Sequence, residues 1–214
     1  MHTHTDSTAC DDLAGAARIL SAAQHLFAEK GFAAVSMHEI AQHAGVSKSN
    51  VFHHFRSKDE LYLAVLGAAC TSHREQLVPL LSGDEPFGVR LQRIMHADLE
   101  FMFAEPERAQ LVLREITGTK PDDAVQPAPA LLRDNAAALV AQMRIAQQNG
   151  EIRAEIDPAA VALLFLAANK FYFLTRNLIR HFPDVDFADD HGRYVEKIAD
   201  LILHGVLPQE GVPK

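Results

Sequence analysis

Apolar residues recur along this 214-residue chain at the three- or four-residue spacing of amphipathic α-helices. Glycine, proline and capping serine residues divide the pattern into segments, because these residue types end or begin helices. We therefore predict an all-α fold. Outside residues 31–57, the predicted helices cover residues 12–30, 58–81, 86–104, 106–117, 129–149, 158–180 and 189–206.

Between Ser36 and Phe55 the pattern predicts two short helices joined by a tight turn. Ser36 and Glu39 have the spacing of a capping box, and Gly45 can adopt the left-handed conformation that ends a helix. Ser47 is a suitable N-cap for the second helix. Helix, glycine-containing turn and helix form the helix-turn-helix arrangement, whose second helix can lie in a DNA major groove.

The net charge of −8 is divided unevenly along the chain. Residues 13–66 carry five Lys/Arg and four Asp/Glu, whereas residues 67–214 carry fifteen and twenty-one. The helix-turn-helix segment is therefore the least acidic part, and the acidic remainder would repel DNA. Phosphate attraction must come from the local placement of Lys48, Arg56 and Lys58 and from helix N-termini.

Residues 17–66 resemble the N-terminal DNA-binding region of the TetR/AcrR bacterial transcriptional regulators, through the spaced motifs LFAEKGF, IAQHAGVSKSNVFHHF and SKDEL. The resemblance implies an all-α homodimer, usually a repressor, with a three-helix helix-turn-helix domain and a larger C-terminal helical domain that binds an effector and dimerises. The predicted domains are a disordered tail over residues 1–11, a DNA-binding domain over 12–57 and an effector-binding and dimerisation domain over 58–210.

Two positions of the second short helix depart from the family pattern. Phe52 stands where the family usually has tyrosine, and Ser49 stands where glycine or alanine is common. A phenyl ring cannot bond a phosphate, but it can pack on a sugar or on a thymine methyl group. The resemblance therefore implies altered rather than abolished DNA binding.

The first turn of the second short helix is where base edges are usually reached in this motif. There Lys48 could donate to guanine, and Asn50 could pair with adenine. His53 and His54 lie one turn further, where phosphates are closer, and the family commonly has a phosphate contact at the position of Lys58. The predicted DNA-binding residues are Ser36, Ser47, Lys48, Ser49, Asn50, Phe52, His53, His54 and Lys58.

The helix predicted at 158–180 is apolar nearly all round, so it must be buried on both faces. Its second face is predicted to meet another subunit, together with the last helix. Two such helices from each subunit would make a four-helix interface, and the dimer would recognise a palindromic operator. The predicted interface residues are Leu163, Ala167, Leu174, Tyr194, Ile198, Leu201 and Ile202.

Asp98 falls within the apolar stripe of the helix predicted at 86–104, where a carboxylate is costly unless it has a partner. It is a candidate ligand contact, or it pairs with Arg114, Lys170 or Arg176. Apolar walls with a few convergent polar groups suit a small organic effector. The predicted effector-binding residues are Asp98, Met102, Arg114, Phe165, Asn169, Tyr172, Phe173 and Arg176.

Several function classes find no support in the sequence. It contains no P-loop, GxGxxG or HExxH motif, so no enzyme activity, cofactor or metal site is predicted. It also has no apolar run of about 18 residues and no secretory core at the N-terminus, which predicts a cytoplasmic protein without membrane contact. The alternative function is a helical ligand-binding or interaction module that has lost DNA binding.

Overall fold

The computed structural model describes the backbone of residues 5–117 and 128–206 and the side chains of residues 12–117, 130 and 132–205. Within these ranges the chain contains helices and no strand, so the predicted all-α fold is confirmed. The described backbone forms nine α-helices: α1 (Thr5–Lys30), α2 (Met37–Ala44), α3 (Lys48–His54), α4 (Lys58–Leu77), α5 (Phe87–Ala104), α6 (Pro106–Thr117), α7 (Ala128–Gln148), α8 (Pro158–Ile179) and α9 (His191–Val206).

Two predicted helix boundaries are corrected. Helix α1 begins at Thr5 rather than Asp12. Residues 5–11 of the tail predicted as disordered are therefore helical in backbone, and residues 1–4 lie outside the described range. The helix predicted over 58–81 ends as an α-helix at Leu77 and continues as a 3₁₀ turn over Val78–Leu81, because a proline at 79 cannot donate a backbone hydrogen bond. The proline-rich loop predicted before α7 lies outside the described residues at 118–127.

The chain divides into two compact units. The first unit contains α1, α2, α3, the part of α4 up to Cys70, and α6. The second unit contains the remainder of α4, α5, most of α7, α8 and α9. This division by packing differs from the predicted domain boundary at residues 57/58, because α6 and the first half of α4 pack with the helix-turn-helix segment.

Local capping signals fix the two short helices of the first unit. The side chain of Ser36 accepts a hydrogen bond from the backbone N–H of Glu39 (3.2 Å), and Gly45 ends α2 with φ 65°. Ser47 begins α3 by accepting from the backbone N–H of Asn50 (3.1 Å). The predicted caps at these three positions are therefore confirmed. The helices pack on a core whose fully buried members include Ile19, Phe27, Ile40, Val51 and Leu61.

Helix α5 supplies much of the core of the second unit. Its buried residues include Leu91, Ile94, Met95, Leu99 and Met102, the stripe expected from the sequence. The neighbouring helix α8 buries the side that carries Val161, Phe165, Asn169 and Tyr172. The stacked rings of Tyr172 and Tyr194, whose centroids are 4.0 Å apart, join α8 to α9.

By length and composition α8 is also the one helix in the described ranges that is apolar enough to cross a membrane, with mean hydropathy 1.4. Core helices of globular proteins meet the same criterion, and the buried side of α8 carries the polar residues Asn169 and Lys170. The opposite, exposed side of α8 is apolar as well.

Candidate functional sites

The outward side of α3 combines cationic, polar and aromatic side chains. Val51 is fully buried and fixes which side of this short helix faces the core. Phe52 is 43% exposed, and Lys48 Nζ lies 5.8 Å from the centroid of its ring, as expected for residues one helical turn apart. The exposed residues of α3 and of the turn that follows are Lys48, Ser49, Phe52, His53 and Arg56.

The serines predicted to contact DNA remain at the surface, but their hydroxyl groups already have partners. Ser36 and Ser47 cap α2 and α3. The hydroxyl of Ser47 also lies 2.9 Å from that of Ser49, so one of the two donates to the other. These contacts hold the first turn of α3 in place and leave Lys48 as the extended cationic side chain there.

Asn50 and His54 face inwards, which corrects their predicted placement at the DNA-facing surface. Both side chains lie close to Gly15 of α1: a β-carbon at that position would be 3.6 Å from Asn50 Oδ1 and 3.4 Å from His54 Nε2. Both atoms are inaccessible to solvent and have no hydrogen-bond partner, although Asp12 Oδ1 lies 3.4 Å from His54 Nε2. Residues 50 and 54 share the side of α3 next to the buried Val51, and that side packs on α1.

Lys58 also differs from its predicted role as a free phosphate contact. Its ammonium group donates to the backbone carbonyls of Phe32 (2.9 Å) and Val35 (3.0 Å) and lies 4.2 Å from the centroid of the Phe32 ring. Lys58 therefore holds the connection between α1 and α2 against the start of α4. These carbonyl partners could not be predicted from the sequence, because they depend on the folded path of a connection that is more than twenty residues away in the chain.

A histidine pair connects α2, α1 and α6 within the first unit. The rings of His25 and His43 are stacked with their centroids 5.1 Å apart, and His25 Nδ1 lies 2.6 Å from the carboxylate of Glu107. The hydrogen bond to Glu107 raises the pKa of His25 above its ordinary value. Among the described residues, no group of three or more His, Cys, Asp or Glu side chains is arranged to hold a metal ion.

Helix α6 makes a second polar contact in this unit. The hydroxyl of Tyr62 on α4 donates to the carboxylate of Glu115 on α6 (2.7 Å). Burial, with the hydrogen bond to Glu115, raises the pKa of Tyr62, so the hydroxyl keeps its proton and remains a donor. Neither polar link to α6 could be predicted from the sequence, because the partners are far apart in the chain and follow no periodic pattern.

A buried polar cluster, which consists of Asp98, His73, Asn169 and Lys170, lies in the second unit. The carboxylate of Asp98 is fully buried and accepts from Lys170 Nζ (2.9 Å) and Asn169 Nδ2 (2.8 Å), and it lies 2.6 Å from His73 Nε2. Of the three partners that the sequence left open for Asp98, the structure selects Lys170. Burial by itself would raise the pKa of Asp98, but Lys170, His73 and Asn169 together hold the pKa well below its usual range.

The other predicted effector-binding residues do not form one group around Asp98. Met102, Phe165 and Tyr172 are buried core residues, and the Tyr172 hydroxyl donates to the carbonyl of Ala188 (3.0 Å). The guanidinium of Arg176 lies 4.3 Å from the centroid of the Phe103 ring, which also contacts Phe173. Arg114 belongs to the first unit, where it donates to the backbone carbonyl of Glu29 (3.1 Å), so it is not a partner of Asp98.

The outer side of α8 exposes a continuous apolar stripe. Leu163 is 63% exposed and Leu174 is 55% exposed, and both were predicted as interface residues. Ala167 is exposed too. Phe171 and Leu178 extend the stripe, with exposed fractions of 65% and 58%. They were not among the predicted interface residues, although their spacing of three or four residues from Ala167 and Leu174 places them on the same side of the helix.

The predicted interface residues of α9 divide between its two sides. Leu201 is 69% exposed and Ile198 is half-buried. Tyr194 and Ile202 are buried in their own subunit, with exposed fractions of 6% and 4%, so they are corrected from surface residues to core residues. The Tyr194 hydroxyl donates to the carbonyl of Ala168 (2.6 Å), which fixes α9 against α8 from the inside.

Comparison with known proteins agrees with this arrangement. The family model described as bacterial regulatory proteins, tetR family, matches residues 19–65. The HTH-type transcriptional regulator RutR of Escherichia coli K12 is 26% identical over 203 residues, which cover 89% of this chain and 90% of RutR. The HTH-type transcriptional repressor BepR of Brucella suis is 29% identical over 194 residues, which cover 87% of this chain and 84% of BepR.

A solved structure shows the same fold. A TetR family transcription regulator from Marinobacter aquaeolei matches with a TM-score of 0.71 and 19% identity, over 93% of this chain and 98% of that protein. The likeness extends through the second unit, where no sequence motif could be matched. The family model over residues 19–65, the full-length relatives and the shared fold together support a DNA-binding transcriptional regulator of the TetR family.

Proposed function

We propose that this protein is a homodimeric repressor that binds a palindromic operator and is released from it by a small organic effector. The single observation that carries the proposal is that one chain has two exposed surfaces suited to different partners. These are a cationic and aromatic face on α3 and an apolar stripe on α8. The first surface suits a DNA groove, and the second suits another copy of the same helix.

The α3 surface supports contact with both phosphates and bases. Lys48 extends from the first turn, where this motif usually reaches base edges, and His53 is exposed one turn further. Arg56 follows the helix and is exposed, so it can contact a phosphate. The segment is close to neutral overall, so its attraction to phosphates depends on the local placement of these cationic side chains.

The α8 stripe supports dimerisation. Soluble monomers rarely expose contiguous apolar patches larger than a few hundred Å², and such patches commonly mark an interface. The opposite side of α8 supplies Asn169 and Lys170 to the buried polar cluster, which favours a protein partner over a lipid bilayer for the exposed stripe.

A twofold dimer presents two copies of α3 and therefore recognises two related half-sites. In proteins of this motif the half-sites are spaced by about one helical turn of DNA, roughly 34–36 Å, or a small multiple of it. The proposed repressor role is supported by the likeness to BepR, which is named as a repressor.

The effector site is proposed in the second unit, near the polar cluster and the aromatic residues that follow it on α5 and α8. Phe103 contacts Tyr172 and Phe173, with Arg176 close to its ring. Aromatic walls with one cationic group suit a small organic molecule that has an apolar body and a polar or acidic end.

The test is a DNase footprint of the purified protein on the DNA upstream of its own gene, at low and moderate salt. The proposal predicts protection of a palindrome, with affinity that falls steeply as salt increases. Sedimentation of the same sample should give a dimer. A folded dimer that protects no DNA at low salt would instead support a ligand-binding module without an operator. Phe52 and the low local charge are the features that favour this second candidate.

A further inference from the structure

Phe52 is an unusual member of the α3 surface. It is a large apolar side chain with 43% of its surface exposed, on a helix whose other exposed residues are Lys48, Ser49 and His53. Val51, the neighbouring residue on the inner side of the helix, is fully buried, whereas much of the Phe52 ring remains exposed. The ring is therefore available to a partner on the DNA-facing side.

The chemistry of the ring restricts what that partner can be. Phenylalanine has no donor or acceptor, so it cannot hydrogen-bond a phosphate or a base edge. In the major groove the apolar group that a side chain can contact is the C5-methyl group of thymine, whereas guanine, cytosine and adenine present donors and acceptors there. A phenyl ring in this groove therefore favours thymine.

Lys48 places a second contact next to the ring. Its ammonium group lies 5.8 Å from the centroid of the Phe52 ring, one turn earlier on the same side of the helix. A lysine in this position donates to O6 and N7 of guanine. Because successive base pairs are separated by about 3.4 Å, the two side chains reach bases that are one or two pairs apart.

We propose that Phe52 is a specificity-determining residue, which packs on the methyl group of one thymine in each operator half-site while Lys48 binds a guanine one or two base pairs away. This inference rests on the proposed function, because it requires α3 to enter the major groove of an operator. The competing role for an exposed ring, packing on a deoxyribose, is insensitive to the base methyl group and is separated by the experiment.

The experiment uses the full-length protein and the operator defined by footprinting. Each thymine is replaced in turn by deoxyuridine, symmetrically in both half-sites, which removes only the methyl group. For the wild-type protein, one symmetric pair of replacements is expected to weaken binding, by about fourfold for each half-site if the methyl group is fully covered. The same replacements should have no effect on Phe52→Ala, because the ring that covers the methyl group is absent.

Two further variants make the comparison specific. Phe52→Tyr keeps the ring and should therefore keep the sensitivity to the methyl group. Phe52→Leu retains an apolar side chain, so its operator affinity can be measured if Phe52→Ala binds too weakly to titrate. Val89→Ala is the matched control, because Val89 is a similarly exposed apolar residue (48%) on α5. This variant should respond to every deoxyuridine replacement as the wild type does.

The outcomes separate the inference from the proposed function. If no operator is found, the proposed function fails before any thymine is replaced. If the wild-type protein binds its operator but no deoxyuridine replacement weakens binding, the inference is overturned while the proposed function stands. If a replacement weakens wild type, Phe52→Ala and Phe52→Leu equally, another residue contacts that methyl group and the inference is again overturned.

Discussion

The side-chain carbonyl of Asn50 lies against Gly15 of α1, where a Cβ would be 3.6 Å from Asn50 Oδ1. That oxygen is buried and has no hydrogen-bond partner, whereas the neighbouring Lys48 is exposed. Lys48→Ala is therefore expected to weaken operator binding by about 1–3 kcal/mol, the usual value of a good base contact, without changing the melting temperature.

Asn50→Ala is the paired variant on the inward side of the same helix. It removes an unpartnered buried oxygen, whose desolvation costs about 1–3 kcal/mol, so we expect no loss of stability and little change in operator affinity. Titration of both variants with the operator, together with thermal melts, checks this. A loss of preference for an adenine in Asn50→Ala alone would show that the amide turns outwards on DNA.

A substitution at Lys58 distinguishes a role in the stability of the fold from a contact with a DNA phosphate. Lys58→Met keeps the aliphatic packing on Phe32 but leaves the carbonyls of Phe32 and Val35 without their charged donor. Hydrogen bonds to charged groups contribute about 1.5–3 kcal/mol, so urea unfolding should show a loss of that order. The exposed Lys48 supplies the control, because Lys48→Met should leave the free energy of unfolding unchanged.

The opposite result would identify Lys58 as a DNA contact. In that case Lys58→Met would unfold at the same urea concentration as wild type. Its operator affinity would depend less steeply on salt, because each phosphate contact that is lost lowers the slope of log K against log salt by about one.

These residues show which parts of the molecule the sequence could predict. Ser36, Gly45 and Ser47 were correctly assigned as helix caps, because a cap depends on residues within a few positions of it. The inward side of α3 was missed, because it depends on how α1 packs beside Gly15. Whether a polar side chain of α3 faces DNA or a neighbouring helix depends on this packing and not on its position in the motif alone.

The second unit shows the same limit. Periodicity identified the buried stripe of α5 and the two-sided apolar character of α8. For Asp98 it gave three possible cationic partners, and only the folded arrangement selected Lys170. Tyr194 and Ile202 were assigned to the wrong side of α9, because a helix that is apolar on two sides does not reveal which side faces its own core.

The Asp98–Lys170 pair should be important for the stability of the second unit. Lys170→Met leaves a buried carboxylate without its main counter-charge, and breaking a buried pair costs about 3–5 kcal/mol. Urea unfolding at neutral pH measures this loss. Arg133→Met is a suitable control, because Arg133 is exposed and its ion pair with Asp134 spans 3.8 Å, so its removal should have little effect.

Asp98 also has a predictable pH dependence. Its pKa is lowered in the folded protein, so below a pH of about 4 the unfolded chain binds a proton that the folded chain does not. The stability that Asp98 contributes is therefore present above that pH and is lost as the pH falls further. In Asp98→Asn this acid-dependent part of the unfolding free energy should disappear, and an unchanged acid profile would contradict the assignment.

His25 has the opposite pH dependence. The hydrogen bond to Glu107 raises the pKa of His25 in the folded protein. The stability that His25 contributes is therefore present below a pH of about 6.5, the pKa in the unfolded chain, and is lost as the pH rises through the higher pKa of the folded protein. Thermal melts from pH 5.5 to 8.5 should show this loss in the wild type and not in Glu107→Gln. The exposed His38 gives the control, since His38→Gln should preserve the wild-type profile.

The exposed stripe of α8 gives a direct test of the dimer. Phe171 and Leu174 are 65% and 55% exposed in the subunit, so glutamate at either position is compatible with the folded chain. Within a helix–helix interface the same carboxylate would be buried without a counter-charge, at a cost of several kcal/mol. We therefore expect Phe171→Glu and Leu174→Glu to sediment as folded monomers at micromolar concentration, with operator affinity reduced because each half-site is then bound separately.

Val89→Glu introduces the same charge at an apolar position of similar exposure (48%) on α5. It should remain dimeric and should bind the operator as the wild type does, which would exclude a general effect of added negative charge on DNA binding. If both α8 variants stay dimeric with unchanged affinity, the subunits meet through another surface. If they become monomeric but bind the operator as tightly as before, one α3 helix is sufficient for recognition.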